Sequence, residues 1–368
     1  MVTWVLLVVL GCTPRSAPGL TAAEVLPLVR SDAEAPEAWA AAVVEGLRAA
    51  GRVPTADEAC QVLAVIEQES GYDPSPPVPG LGRLARQELE SRVEDTLGLL
   101  GEPTLRQLLD VRPDAEGASF REALSEVRTE EELDRWYRAV VAHHEGRVPW
   151  VGSAVRLAAP RLEERLNPVA TVGSMQVSAA YAQDHPVSRG LSREAVRDTL
   201  YTLDGGVRYG TLRLFDTAAY ADPAHRFADY NAGPFASRNA SFQSMVSELS
   251  GTPLARDGDL LSYDGRGRAR RRQQGETVAA LRGLAAELGL AEAQLLRDLH
   301  LEKEASFEGT ATYGAVQQRW AEGHGEAAPY SEVPQVTLDS PKLSGTWTTA
   351  VFAQRTERRY RACLARAQ

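Results

Sequence analysis

The sequence predicts an all-α, mainly helical protein on three observations. Apolar residues recur at steps of three and four in long segments, few segments alternate apolar and polar residues, and N-cap and glycine stop signals bracket the periodic stretches. Residues 35–50 (APEAWAAAVVEGLRAA) are periodic and stop at Gly51. Pro54 and Thr55 to Glu58 then form a capping-box pattern, with Thr55 as N-cap and Glu58 at N3. The helix they open runs to about Ser70 and stops at Gly71 as a C′ glycine. Pro74 to Gly82 reads as a loop. Residues 84–166 are charged and helix-patterned, with a second capping box at Thr129–Glu132. Residues 173–250 carry three or four helices, broken at Pro186–Gly190, Asp204–Gly206, Asp222–Pro223 and Asn231–Pro234. A linker is expected at 256–274, followed by helices near 276–288, 291–305, 311–322 and 347–366.

The balance of 50 acidic against 40 basic residues, net −10, argues against a nucleic-acid binder, because phosphate binding needs a basic surface. No apolar run reaches the roughly 18 residues that cross a bilayer. Only Lys303 and Lys342 are lysines, which reads as coding bias rather than function. Residues 1–10 (MVTWVLLVVL) form a short apolar run followed by Gly11-Cys12. Val9-Leu10-Gly11-Cys12 resembles the bacterial lipobox, which implies cleavage before Cys12, acylation of its thiol and anchoring to the membrane through lipid alone. The n-region lacks Lys and Arg, and the other reading is an apolar strand with a chance cysteine. Cys60 and Cys363 would then lie in an oxidising compartment, either as a disulfide closing a loop of about 300 residues or as two buried thiols.

Glu69 falls on the apolar stripe of Ala59, Val62, Leu63 and Ile66, seven residues after Val62 and three after Ile66. It sits in the last helical turn, where the helix dipole disfavours a carboxylate; burial and dipole both raise a carboxyl pKa. An acid held neutral donates a proton to a leaving oxygen, as glycoside cleavage requires. The structural alternative is a helix-end glutamate paired with an arginine. Glu67 lies off the stripe and reads as solvated.

Three segments occur in order: Glu69-Ser70-Gly71-Tyr72, Gly173-Ser174-Met175-Gln176 and Tyr230-Asn231-Ala232-Gly233. Together, with Ile66 to Ser70 before the first and Asn167-Pro168 before the second, they resemble the lytic transglycosylase and goose-type lysozyme superfamily. The resemblance covers about 55–72 and 165–250. The whole chain, including Asp257-Gly258-Asp259-Leu260-Leu261 and Ser340-Pro341-Lys342-Leu343, resembles a family of bacterial lipoproteins of unassigned function within that fold. Two departures stand out. About 100 residues separate the first two segments where the family has a short loop, which reads as an insertion in a loop, where added length costs little closure entropy. Ser174 stands where the family usually has a larger apolar residue.

The resemblance implies that Glu69 is the single acid/base and that Ser70 orients the loop or a sugar hydroxyl. It implies that Met175 and Gln176 line the cleft, that Tyr230 holds the glutamate or an N-acetyl group, and that Asn231 fixes the turn and contacts substrate. It implies cleavage of the MurNAc–GlcNAc bond of peptidoglycan strands without cofactor or metal, by a lipoprotein on the periplasmic face of the outer membrane. A non-catalytic peptidoglycan-binding or envelope scaffold lipoprotein is the second hypothesis, motivated by the insertion. The organisation that the resemblance implies is a lipoprotein signal peptide at 1–11, a tether at 12–30, a lysozyme-like catalytic core at 31–72 and 167–255, a helical insertion at 73–166 and a helical C-terminal region at 256–368.

Hydrolysis usually needs two carboxylates. Asp229 is the leading candidate for the second, with Asp184, Asp204 and Asp259 behind it, and the single-acid reaction is favoured. His143-His144-Glu145 reads as a solvated helix end rather than a metal site. Gly205-Gly206 and Gly80 to Gly82 lack the partners of a phosphate loop. Asn239-Ala240-Ser241 matches a glycosylation pattern of little meaning for a bacterial lipoprotein. The arginines of 266–272 read as a solvated loop.

Overall fold

The computed structural model describes residues 19–114, 116–144, 167–263, 269–270, 275–338 and 347–367. Cys12, the signal peptide, Glu145 and most of the 266–272 arginine cluster lie outside the described residues. The fold is mainly α, as expected. Its helices are α1 (Ala22–Val25), α2 (Pro36–Ala49), α3 (Ala56–Glu69), α4 (Leu81–Leu97), α5 (Gly101–Leu109), α6 (Phe120–Glu126) and α7 (Glu130–His144). After the antiparallel hairpin β1 (Thr171–Val172) and β2 (Val177–Ser178) come α8 (Ala179–Asp184), α9 (Arg193–Leu200), α10 (Leu203–Phe215), α11 (Pro223–Ala232) and α12 (Ala236–Ser250). The chain ends with α13 (Gly275–Leu284), α14 (Glu292–Leu299), α15 (Ala311–His324), the hairpin β3 (Thr337–Leu338) and β4 (Trp347–Thr348), and α16 (Thr349–Arg366).

Three apolar clusters organise these elements. The first gathers α2, α3, α10, α11 and α16 around Trp39, Leu47, Leu63, Ile66 and Phe227. Here α10 lies along α2, and α16 packs on α3 and α11. Gly46 lets α2 approach α10, since a Cβ there would sit 2.8 Å from Thr211 Oγ1. The second cluster joins α12 to α13, α14 and α15 through Phe242, Leu281, Phe307 and Val316. The third belongs to α4–α7, around Leu109, Phe120, Leu124 and Trp136.

This packing corrects the expected boundaries. The tether does not extend to residue 30: Thr21 caps α1 in a capping box with Glu24, and Val25, Leu28 and Val29 are buried in the first cluster. Helix α12, expected in the core, packs in the second cluster, while α16, expected in the C-terminal region, packs in the first. Cys60 and Cys363 form a disulfide joining α3 to α16 across 303 residues. The expected linker is packed at its start, where Leu260 and Leu261 are buried. Gly205 and Gly206 do not break a helix; Thr202 caps α10, which begins at Leu203.

Several polar groups have structural employment. Thr55 accepts from the Glu58 amide at 3.2 Å, yet the Glu58 carboxylate leaves the cap to pair with Arg52. Thr129 and Glu132 complete their box. His143 and His144 pack their rings against Phe120 instead of standing in solvent. Asn239 is buried, its side-chain amide donating to the carbonyls of Gly258 at 3.1 Å and Glu302 at 3.0 Å, so it is inaccessible to a glycan. Arg270 donates to the Tyr263 carbonyl at 3.0 Å.

Candidate functional site

Glu69 ends α3, whose apolar stripe is held by the first cluster on one side and by the disulfide at Cys60 on another. Its side chain is half-buried. Burial first, then the nearby charge of Glu130, push its pKa from the ordinary value of 4.5 up to about 8. Burial was expected from the stripe; Glu130 was not. Ser70 is the C-cap of α3, and its hydroxyl donates back to the Ile66 carbonyl at 3.0 Å, securing the helix end. Glu67 is not solvated: it is half-buried, 3.6 Å from Arg30 and 3.5 Å from Arg359.

Gly173 to Gln176 does not open a helix. It forms the four-residue turn of the β1–β2 hairpin, with the Gln176 amide donating to the Gly173 carbonyl at 2.9 Å. This turn lies hard against neighbouring backbone. A Cβ on Gly173, which has φ +78°, would meet the Leu200 carbonyl oxygen at 2.2 Å, and a Cβ on Gly210 would meet Met175 Sδ at 2.3 Å. Ser174 fits beside Gly206, where a Cβ would sit 2.9 Å from the serine Oγ, so a larger side chain has no room against α10. The glycines of α10 therefore serve close approach, a signal present in the sequence and missed there.

Met175 is fully buried, so its side chain is core and does not line a cleft. Its carbonyl accepts from the Tyr230 hydroxyl at 2.5 Å. Gln176 has φ +50°, an uncommon conformation for a non-glycine residue, and Tyr72 of the first segment has φ +72°. The Gln176 carboxamide is bridged: its Oε1 accepts from Thr171 Oγ1 at 2.8 Å, and its Nε2 donates to Glu130 Oε2 at 2.9 Å.

Tyr230 stands in the last turn of α11, its pKa raised by burial and then by Glu69. Arg213 acts on it in the opposite sense and lies over the ring of Tyr181, 5.7 Å from the centroid. Asn231 turns elsewhere, accepting from Thr349 Oγ1 at 3.1 Å and so tying α11 to the start of α16. Glu69 thus acts on Tyr230 and is acted on by Glu130, the partner of Gln176, while Arg213 and Tyr181 act on Tyr230; Glu130, Arg213 and Tyr181 were missed by sequence reasoning, Met175 contributes backbone, and Ser70 and Asn231 contribute local architecture.

Asp229 is not the second carboxylate of this group. It is buried, accepting from Thr217 Oγ1, Tyr220 and the Ser237 amide, each at 2.6 Å, and it joins α11 to the first turn of α12. Asp184 and Asp259 are paired with Arg193 and Lys303 at 3.4 and 3.0 Å. No group of three metal-ligating side chains occurs among the described residues.

The arrangement supplies one carboxyl that stays mostly protonated at neutral pH, a second carboxylate beside it, one nearby cation and two polar side chains. That set can protonate a leaving oxygen and hold a polar ligand. The chain is similar to uncharacterized protein YaiW of Escherichia coli (strain K12), with 36% identity over 368 residues, covering 97% of this chain and 95% of that protein. No solved structure matches it. The family described as "Protein of unknown function (DUF1615)" matches residues 32–366, and the chain belongs to that family.

Proposed function

We propose that the protein cleaves the MurNAc–GlcNAc bond of peptidoglycan as a lytic transglycosylase does, with Glu69 as acid and base. The observation that carries this reading is a helix-end glutamate held protonated to about pH 8 that acts on Tyr230 and is acted on by Glu130, the partner of Gln176; Glu69, Gln176 and Tyr230 are residues that the three sequence segments single out. In this mechanism Glu69 gives its proton to the glycosidic oxygen as the bond from C1 breaks. The resulting carboxylate takes a proton from the C6 hydroxyl of the muramic residue, whose oxygen closes onto C1. The product is a 1,6-anhydro sugar, no water is consumed, and Glu69 ends protonated. Gln176 and Tyr230 bind the saccharide's amide and hydroxyl groups, which must find partners when they leave water. Acylation at Cys12 would hold the protein at the periplasmic face of the outer membrane, next to this substrate.

One observation favours a non-catalytic envelope-binding protein instead. Gln176 is satisfied without a ligand, by Thr171 from its own hairpin and Glu130 from the insertion. Digestion of purified sacculi by the full chain in mild detergent, beside Glu69→Gln, separates the two readings by mass spectrometry. Catalysis predicts anhydro-muropeptides from the first and a drop of about 100-fold or more for the second. Binding to sacculi without products from either protein would reject cleavage.

A further inference from the structure

We propose that the helical insertion is part of the site, and that its Glu130 is a positioning residue that holds the Gln176 carboxamide and brings a second carboxylate to the site of Glu69. The inference rests on the reading of Glu69 as the acid. Two contacts of Glu130 itself, and a clamp one turn further along its helix, place it. Its carboxylate accepts from Gln176 Nε2 at 2.9 Å, and its carbonyl accepts from the Tyr201 hydroxyl at 3.3 Å. One helical turn further along α7, on the same face, the fully buried Asp134 is clamped to the core. Asp134 accepts from Arg197 Nε at 2.6 Å and from Asn167 Nδ2 at 2.7 Å, and Arg138 lies 3.2 Å away. Arg197 also donates to the Val169 carbonyl, just before the β1–β2 hairpin. The same clamp therefore seats α7 and the hairpin that carries Gln176.

The three glutamates that open α7 divide their work. Glu132 caps the helix, accepting from the Arg128 amide at 2.8 Å and the Thr129 amide at 3.2 Å, and Glu131 pairs with Arg135 on the same helix. The carboxylate of Glu130 instead leaves its own helix for Gln176. From there its charge adds to burial in keeping the proton on Glu69. On one side Tyr230 of α11 is acted on by Glu69, Arg213 of α10 and Tyr181 of α8, and on the other Tyr201 is acted on by Glu130, Asp134, Arg197 and Arg138. Glu130 is the carboxylate acting on Glu69, and its removal lets the acid release its proton more easily.

The test uses Glu130→Gln, which keeps an acceptor for Gln176 and removes the charge, and Glu130→Ala, which removes both. The pKa of Glu69 is read without any activity, from the pH dependence of the stability difference between each protein and its Glu69→Gln counterpart. Glu130→Gln is expected to lower that pKa by about one unit and to move the alkaline limb of sacculus digestion by the same amount. Glu130→Ala is expected to do this and to raise KM for glycan about 10-fold as well. An unchanged KM for Glu130→Ala, or an unchanged Glu69 titration in both variants, overturns the proposal. A shifted titration in a protein that never cleaves sacculi upholds the coupling and rejects the catalytic reading, so the two failures are distinguishable. If a variant fails to fold, Glu130→Asp, which keeps the charge and shortens the reach, is expected to leave the Glu69 pKa near its wild-type value.

Discussion

Glu69 holds its proton because the molecule puts a carboxyl where water is scarce and another carboxylate is close. The thermodynamic consequence has a definite sign. The unfolded chain releases this proton near the ordinary value of 4.5, whereas the folded chain keeps it to about 8. Between those values the unfolded state binds fewer protons, so raising the pH favours unfolding, and the cost levels off above about pH 8. Glu69→Gln removes that cost. The variant is expected to match wild type near pH 5 and to exceed it by about 2–4 kcal/mol near pH 8.5, a range discounted for the partial exposure of the side chain. Urea unfolding at the two pH values checks this, and equal differences at both would show that Glu69 titrates normally.

At the scale of elements, the hairpin and α7 matter most. The β1–β2 turn lies where it does because Gly206 and Gly210 of α10 leave room for Ser174 and Met175, and Tyr230 ties the turn to α11 through the Met175 carbonyl. Helix α7 is docked by buried charge, an arrangement that costs desolvation and holds only while every member is paired. Arg197→Leu leaves Asp134 buried against a weaker set of donors. It is expected to cost about 3 kcal/mol and to loosen α7. Hydrogen exchange would show this as faster exchange in residues 130–144 than in α3; uniform acceleration across the chain would mean that α7 is not a separable docking element.

Across the whole molecule, the chain closes on itself. The last helix returns to the first cluster, where the Cys60–Cys363 bond and the contact of Tyr360 with Asp57 fasten it to α3. Asn231 meets the start of the same helix, so α16 braces both the element ending in Glu69 and the element carrying Tyr230. A loop this long, once closed, strongly restricts the unfolded chain, by about 6 kcal/mol in the chain-entropy account. Replacing both cysteines by serine is expected to lower stability by about 2–5 kcal/mol and to leave the site's geometry in place at low temperature. Thermal unfolding with and without reductant checks this: wild type should fall to the level of the double variant, which reductant should leave unchanged.

Local chemistry made the helical class, most helix ends and the placement of Glu69 on a buried stripe legible in the sequence, because periodicity, N-caps and glycine stops act within a turn or two. The sequence also contains the Thr21–Glu24 capping box that ends the tether and the α10 glycines that admit the hairpin, two local signals whose meaning emerges only from the packing around them. Glu130 was illegible for a different reason. Thr129–Glu132 is a complete cap by itself, so nothing local indicates that one of its acids reaches Gln176, 46 residues away in sequence. Asp229 was misleading in the converse way, since its neighbour Tyr230 faces the site while Asp229 itself is consumed by Thr217, Tyr220 and Ser237. The sequence by itself determined which segments are helical and which glutamate ends on an apolar face. Only the tertiary structure decided which second carboxylate acts on it, because charge repulsion and desolvation depend on distance through space, which the docking of α7 sets without leaving a periodic trace.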